Sequence, residues 1–171
     1  MTKNKLQHQR QQQIAHKYSC VINSCVGKLG IIIANNQIAK IVYLSTKARL
    51  ISPKNLVTRQ IVSKIKKYFC NPRLQFKLVM NLSGTVLQIK IWKALQKIPC
   101  GKTITYGELA QKIGTSPRVI GNACRRNPIP IIIPCHRVVA ANGLGGYCGN
   151  VNSGAIKIKE WLLKHESDYK L

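Results

Sequence analysis

The sequence predicts two architectures in one chain: an N-terminal α/β unit with a small antiparallel sheet, then a mainly α C-terminal domain containing a helix-turn-helix. Three observations carry this. β-branched runs fill residues 18–44, two S/T-x-x-E/Q capping boxes open apolar helical stripes after residue 81, and short helices meet there at a Gly-containing turn. At 171 residues with 45% hydrophobic content the chain can bury a real core. The expected divisions are a basic, disordered arm at 1–16, a small α/β domain at 17–80 and a mainly α domain at 81–171.

The arm is polar, with His8 and Gln11 to Gln13, and no chemistry is assigned to it. From Tyr18 to Leu44 the runs CVINSCVG, LGIIIA and IAKIVYL, with Asn35-Asn36 between the last two, predict a hairpin or three-stranded meander. Residues 55–69 predict a helix with Leu56, Ile61, Ile65 and Phe69 on its inner stripe. After the polar break at 81–84, Thr85 and Gln88 cap a helix carrying Leu87, Ile91, Ala94, Leu95 and Ile98, which ends near Pro99 and Gly101.

Thr105 and Glu108 open the next helix, with Tyr106, Leu109, Ala110 and Ile113 at i, i+3, i+4 and i+7, and Gly114 as its stop. Ser116 and Pro117 begin a third, to about Arg126, which bears Arg118, Arg125 and Arg126. The pair outlines a helix-turn-helix, winged-helix-like in class; helical hairpins also serve as plain packing units, and the basic composition favours DNA contact. Residues 155–166 predict a final amphipathic helix with Ile158, Trp161, Leu162 and His165 inward.

Charge narrows the partner. Twenty-eight Lys and Arg oppose four Asp and Glu, a net +24, and no acidic residue precedes Glu108. A polyanion such as nucleic acid, bound with strong salt dependence, is the expected partner; the plain alternative is a compositional bias toward Lys and Ile. Seven cysteines, an odd number, with no apolar signal segment and no membrane-length run, predict free thiols in a reducing cytoplasm. No Cys-x-x-Cys pair occurs, and His16, Cys20 and Cys25 lack a fourth metal ligand, so Cys20 and Cys25 are expected to be ordinary strand residues.

The chemistry concentrates in NPIPIIIPCHRVV, Asn127 to Val139. Ile131 to Ile133 predict a short buried strand, which Pro134 ends just before Cys135 and His136. A cysteine is a strong nucleophile only as thiolate, and a neighbouring base or cation favours that state. Adjacent residues on a strand face opposite ways, so His136 reaches the sulfur either through a turn at Pro134 or through a bridging water. A carboxylate should orient the imidazole. Glu108 is engaged as a capping partner, Asp168 lies near the end and Glu160 opposes the apolar face, which leaves Glu166; exposure at a helix end is its ordinary alternative. The glycines at 143, 145 and 146 mark tight turns, in a surface loop or where a ligand approaches the backbone.

GTVLQIKIWKALQKIPCGKTITYGELA, RVIGNACRRNP, IPIIIPCHRVV, GLGGY and KEWLLKHE together resemble the O6-alkylguanine-DNA alkyltransferase (methylated-DNA–protein-cysteine methyltransferase) family over about residues 84–166. The resemblance implies a cofactor-free, single-turnover repair protein: Cys135 takes an alkyl group from O6-alkylguanine, and by extension O4-alkylthymine, in double-stranded DNA. By that likeness His136 deprotonates Cys135 through a water, Glu166 orients His136 and Asn127 holds the turn before the active site. Arg118 matches the finger that replaces the flipped guanine, Tyr106 the residue that rotates its phosphate, and Arg125 lies on the same DNA-facing helix. Tyr147, Cys148 and Val138 line the base pocket. Cys148 stands where the family often has serine, altering a hydrogen bond to the base or adding a second nucleophile, and Cys124 where a larger apolar residue supports the pocket. A monomer without metal or membrane contact is expected. The competing readings are a helix-turn-helix lesion-binding or regulatory protein without alkyl transfer, and a cysteine hydrolase.

Overall fold

The computed structural model describes residues 17–149 and 153–169; the arm at 1–16, with His16, lies outside them. Two compact units emerge, one holding the described residues through Cys70 and Gln75–Asn81, the other Asn71–Leu74 and the residues from Leu82 onward.

The first unit is built on a three-stranded antiparallel sheet of β1 (Cys20–Ser24), β2 (Gly27–Ala34) and β3 (Gln37–Leu44), in that order. β1 and β2 pair from Cys20↔Ile31 to Ser24↔Gly27, so the first strand stops at Ser24 and Cys25 falls in the turn. Asn35 and Asn36 both take positive φ, 51° and 60°, the left-handed pair that a two-residue hairpin needs and asparagine tolerates. Leu29, Ile31 and Ile38 are fully buried.

Helix α1 (Leu56–Cys70) packs on β1. Its buried face is Thr58, Ile61, Val62, Ile65 and Tyr68, which corrects the expected stripe: Leu56 is 68% exposed and Phe69 only partly covered. Leu56 belongs to the first turn, where Asn55 Oδ1 accepts from the Thr58 backbone N–H at 2.8 Å, and the inner face starts at Thr58. Tyr68 then becomes the aromatic of the core, its ring 5.5 Å from that of Phe76.

In the second unit both capping boxes form as the sequence predicts. Thr85 and Gln88 start α2 (Val86–Leu95), and Thr105 and Glu108 start α3 (Tyr106–Ile113), which Gly114 ends at φ 79°. Ser116 caps α4 (Pro117–Arg125). Trp92, buried on α2, donates its indole N–H to the Ala123 carbonyl of α4 at 2.9 Å, so the one polar atom of a large apolar ring is satisfied. Two short strands, β4 (Ile104–Thr105) and β5 (Val138–Val139), pair in parallel and join the start of α3 to the segment following Cys135.

Two expectations are corrected here. Ile131 to Ile133 are buried but form a tight turn: Ile131 has φ 75°, Pro130 and Ile133 form a lone bridge, and the Ile133 N–H returns to the Ile129 carbonyl at 2.9 Å. Pro128, Pro130 and Pro134 deny the stretch the regular donors of a ladder. In α5 (Ser153–Ser167) the fully covered positions are Lys159, Leu162 and Glu166, while Ile158, Trp161 and His165 are only partly covered. The inward face is therefore mostly charged, and each charge has partners.

Candidate active site

Asn127, just past the C-cap residue Arg126, organises the reactive segment. Its Oδ1 accepts from the Ile129 N–H at 3.0 Å, while Nδ2 donates to the Ile133 carbonyl at 2.8 Å and lies 3.1 Å from Cys135 Sγ. One amide thus closes the turn and touches the sulfur. Pro134, at φ −81° and ψ 65°, is the centre of an inverse γ-turn in which the Cys135 N–H reaches the Ile133 carbonyl at 2.8 Å. The chain then winds into a 3-10 turn over Cys135–Arg137. A turn rather than a strand end therefore presents the thiol and the imidazole.

His136 is fully buried, and its Nε2 lies 2.9 Å from Glu166 Oε1. A carboxylate there requires Nε2 to carry the proton, so Nδ1 is left as an acceptor, and Nδ1 has no hydrogen-bond partner among the described residues. Glu166 is itself fixed by a two-pronged contact from Arg137, Nε to Oε2 at 2.8 Å and Nη2 to Oε1 at 2.8 Å, and by the Gly101 N–H at 3.3 Å. Arg137 also donates to the Ile98 carbonyl. Burial alone would raise the Glu166 pKa, but hydrogen bonds and charge from His136 and Arg137 outweigh it and hold the carboxyl well below the usual range. Burial pushes the His136 pKa down, more than Glu166 pulls it up, with Arg137 and Lys159 adding to the depression. The imidazole is thus neutral near pH 7, as a base must be.

The thiol is shifted the other way from an ordinary buried cysteine. A hydrogen bond with the Cys148 side chain is the main influence lowering the Cys135 pKa; burial opposes it, and Asn127 and the charge of Lys159 assist. Cys148 is correspondingly raised by that same bond. Cys124, buried on α4, is raised by desolvation and by the charge of Cys135. Of the three thiols, only Cys135 is stabilised as thiolate.

Lys159 escapes sequence reasoning. Its ammonium is fully buried and donates to the carbonyls of Val138 at 2.6 Å, Leu144, and Gly146 at 3.2 Å, tying the 144–146 segment to β5. The available signal was its place seven residues before Glu166 and three before Leu162, on one helical face, but the chain's many lysines hide it. Arg137 as the holder of Glu166 was likewise not foreseen.

The remaining residues flank this centre. Tyr106 reaches the Gly146 carbonyl with its hydroxyl at 3.4 Å, and burial pushes its pKa up to about 12. Gly145, at φ 68°, lies so close to the Tyr106 ring that an added Cβ would sit 3.1 Å from it. Val138 and Tyr147 are buried and Cys148 is half-buried. Arg118 is exposed in the first turn of α4, and Arg125 is exposed at its end with its stem against Gly149. Cys20 is buried in β1 and Cys25 is exposed, and the described residues contain no group of three His, Cys, Asp or Glu able to hold a metal.

Residues 86–168 match the family model of the 6-O-methylguanine DNA methyltransferase DNA binding domain. A methylated-DNA–protein-cysteine methyltransferase of Methanosarcina mazei is 43% identical over 113 residues, covering 64% of this chain and 68% of that protein. The crystal structure of a Mycobacterium tuberculosis O6-methylguanine methyltransferase superposes with a TM-score of 0.75 at 33% identity, covering 88% of this chain and 93% of that one. A second M. tuberculosis structure, OGT in complex with DNA, gives 0.73 at 33% identity, covering 86% and 92%. By these likenesses this chain belongs to the methylated-DNA–protein-cysteine methyltransferase family.

Proposed function

We propose that this protein repairs DNA directly, by irreversible, stoichiometric transfer of an alkyl group from O6-alkylguanine, and from O4-alkylthymine, to Cys135. The observation that carries the reading is a single arrangement: a thiol lowered in pKa, held by Asn127, beside an imidazole whose Nδ1 is free to accept while Glu166 holds Nε2. A water links the Cys135 thiol to His136 Nδ1 and carries its proton there. The thiolate then attacks the alkyl carbon, the carbon–oxygen bond breaks toward the base, and the departing base takes up a proton. The thioether that remains has no leaving group, so each molecule acts once.

An O6 substituent within the duplex cannot meet a buried sulfur, so the nucleotide is flipped out at a cost of a few kcal/mol, offset by pocket contacts. Val138, Tyr147 and Cys148 line the pocket that receives it, and Tyr106 rotates the phosphate. α3 and α4 act as a winged-helix-like helix-turn-helix, supported by their mutual packing and by Arg118 and Arg125 exposed on α4 and Arg126 exposed at its C-cap. Arg118 enters the stack from the minor groove in place of the base. Damage rather than sequence is read, so most contacts are to phosphate, which a net charge of +24 favours. The protein works as a monomer in the cytoplasm; all seven cysteines are free, and no described helix is long and apolar enough to cross a membrane.

Incubation with a duplex oligonucleotide containing O6-methylguanine is expected to add one methyl group to Cys135 and nothing to the Cys135→Ala variant, read by intact mass and peptide mapping. Damaged-DNA binding without any mass gain would leave only a lesion-binding role.

A further inference from the structure

We infer that the cleft between the start of α2 and the end of α4 seats one phosphate of the DNA backbone, and that Arg125 links this seat to the base pocket through Gly149. The cleft is open to solvent, about 580 Å³ in volume, and lined by Gln88, Asn122, Arg125 and Arg126. Small-molecule sites are lined mostly by apolar and aromatic side chains. Here every lining residue is polar, two are cationic, and none of the chain's four carboxylates is among them. Such a wall attracts an anion and offers an apolar ligand nothing.

The donors are available. Gln88 stands in the first turn of α2, where its Oε1 accepts from the Thr85 N–H at 3.0 Å, which leaves its Nε2 hydrogens to donate. Asn122 is exposed on α4, and Arg125 and Arg126, three and four residues on, fall on the same side of the helix end. Arginines near a helix C-terminus can serve its last carbonyls, yet among the described residues neither guanidinium has a hydrogen-bond or ion-pair partner. A guanidinium fork matches phosphate oxygens in geometry as well as in charge. Arg118 lies four residues before Asn122 and seven before Arg125, on the same face and about 10 Å from Arg125 along the axis. The seat and Arg118 can therefore meet one duplex.

Arg125 also touches the pocket segment. A Cβ built on Gly149 would lie 2.5 Å from Arg125 Cγ, 3.0 Å from Cδ and 3.0 Å from Nε, so the stem crosses the bare backbone of that glycine, which holds φ 77°. Gly149 directly follows buried Tyr147 and half-buried Cys148, the latter at φ 48°. Lys159 ties down the opposite end of this segment through the Leu144 and Gly146 carbonyls. A phosphate that fixes Arg125 therefore also steadies the Gly149 end. The pocket wall is firmest when DNA is bound.

The seat rests on the reading of α4 as a DNA-facing helix, and one experiment separates the two. Binding of the full chain to a fluorescently labelled, undamaged duplex is followed by anisotropy from low to high salt. The double variant Arg125→Met with Arg126→Met keeps both stems and should weaken binding by about tenfold. It should lower the slope of log K against log salt by about 0.9, the loss of one shared phosphate. A drop of about 1.8 means two separate phosphates and an unchanged slope means none; either overturns the seat. Amide exchange reads the link to the pocket. Saturating duplex should slow exchange at Cys148 and Gly149 in the wild type but not in Arg125→Met, and equal slowing in both overturns the link. Wild-type protein that binds no duplex refutes the DNA reading and the seat together, whereas wild type that binds, matched by the double variant in affinity and slope, refutes the seat alone.

Discussion

Replacing Glu166 by Gln removes one charge from a site where His136, Arg137 and the Gly101 N–H donate to it. Oε1 meets His136 Nε2 and Arg137 Nη2, and Oε2 meets Arg137 Nε and the Gly101 N–H. A glutamine keeps one acceptor oxygen and turns an NH2 group toward two of those donors. Whichever way it rotates, Arg137 loses one prong of its contact and its counter-charge, with both partners buried. Removing one member of a buried pair typically costs about 3–5 kcal/mol, because the other charge stays behind. With a urea slope of about 2 kcal/mol per molar for a protein of this size, the midpoint should fall by about 1.5–2.5 M. Both tryptophans, Trp92 and Trp161, lie in the second unit, so their fluorescence reports that transition. The double change Glu166→Leu with Arg137→Met should recover only part of the loss: no charge is stranded, but His136 Nε2, the Gly101 N–H and the Ile98 carbonyl each lose a partner. A fall below about 1 kcal/mol in the single variant would refute the assignment of Glu166 as the counter-charge of Arg137.

Asn127→Ala should cost about 2–3 kcal/mol in the same urea assay, since the Ile133 carbonyl and the Ile129 N–H both lose a partner; the pH profile of Cys135 alkylation by iodoacetamide should also move up, as a stabilising donor to the sulfur is gone. Lys159→Met should loosen the 144–146 segment, seen as faster amide exchange there, and should slow Cys135 alkylation near pH 7, because the lysine's charge favours the thiolate; unchanged exchange and rate would rule the clamp out. Acid should destabilise in two stages. His136 and Glu166 both have folded pKa values below their unfolded ones, about 6.5 and 4.3, so the stability each contributes is full above those values and is lost as pH falls. Urea midpoints should decline below about pH 6.5 and more steeply below about 4.3, by at most about 1.4 kcal/mol per pH unit per proton; a midpoint constant down to pH 4 would contradict the shifts.

What the sequence determined by itself is what local physics controls. Capping boxes at Thr85 and Thr105, the αL stop at Gly114 and the Asn35-Asn36 turn depend on residues a few positions apart, and they form where the spacing places them. That Glu166, of the four acids, meets His136 was likewise legible, because so few carboxylates compete. Tertiary structure decided the rest. Three isoleucines in a row suggest a strand, yet a strand needs a partner, and between prolines, with Asn127 holding the Ile133 carbonyl, the segment folds into a turn. Periodicity turned α5 toward Ile158 and Trp161, since hydropathy counts Lys159 as outward; its distant partners, three carbonyls, reverse that sign.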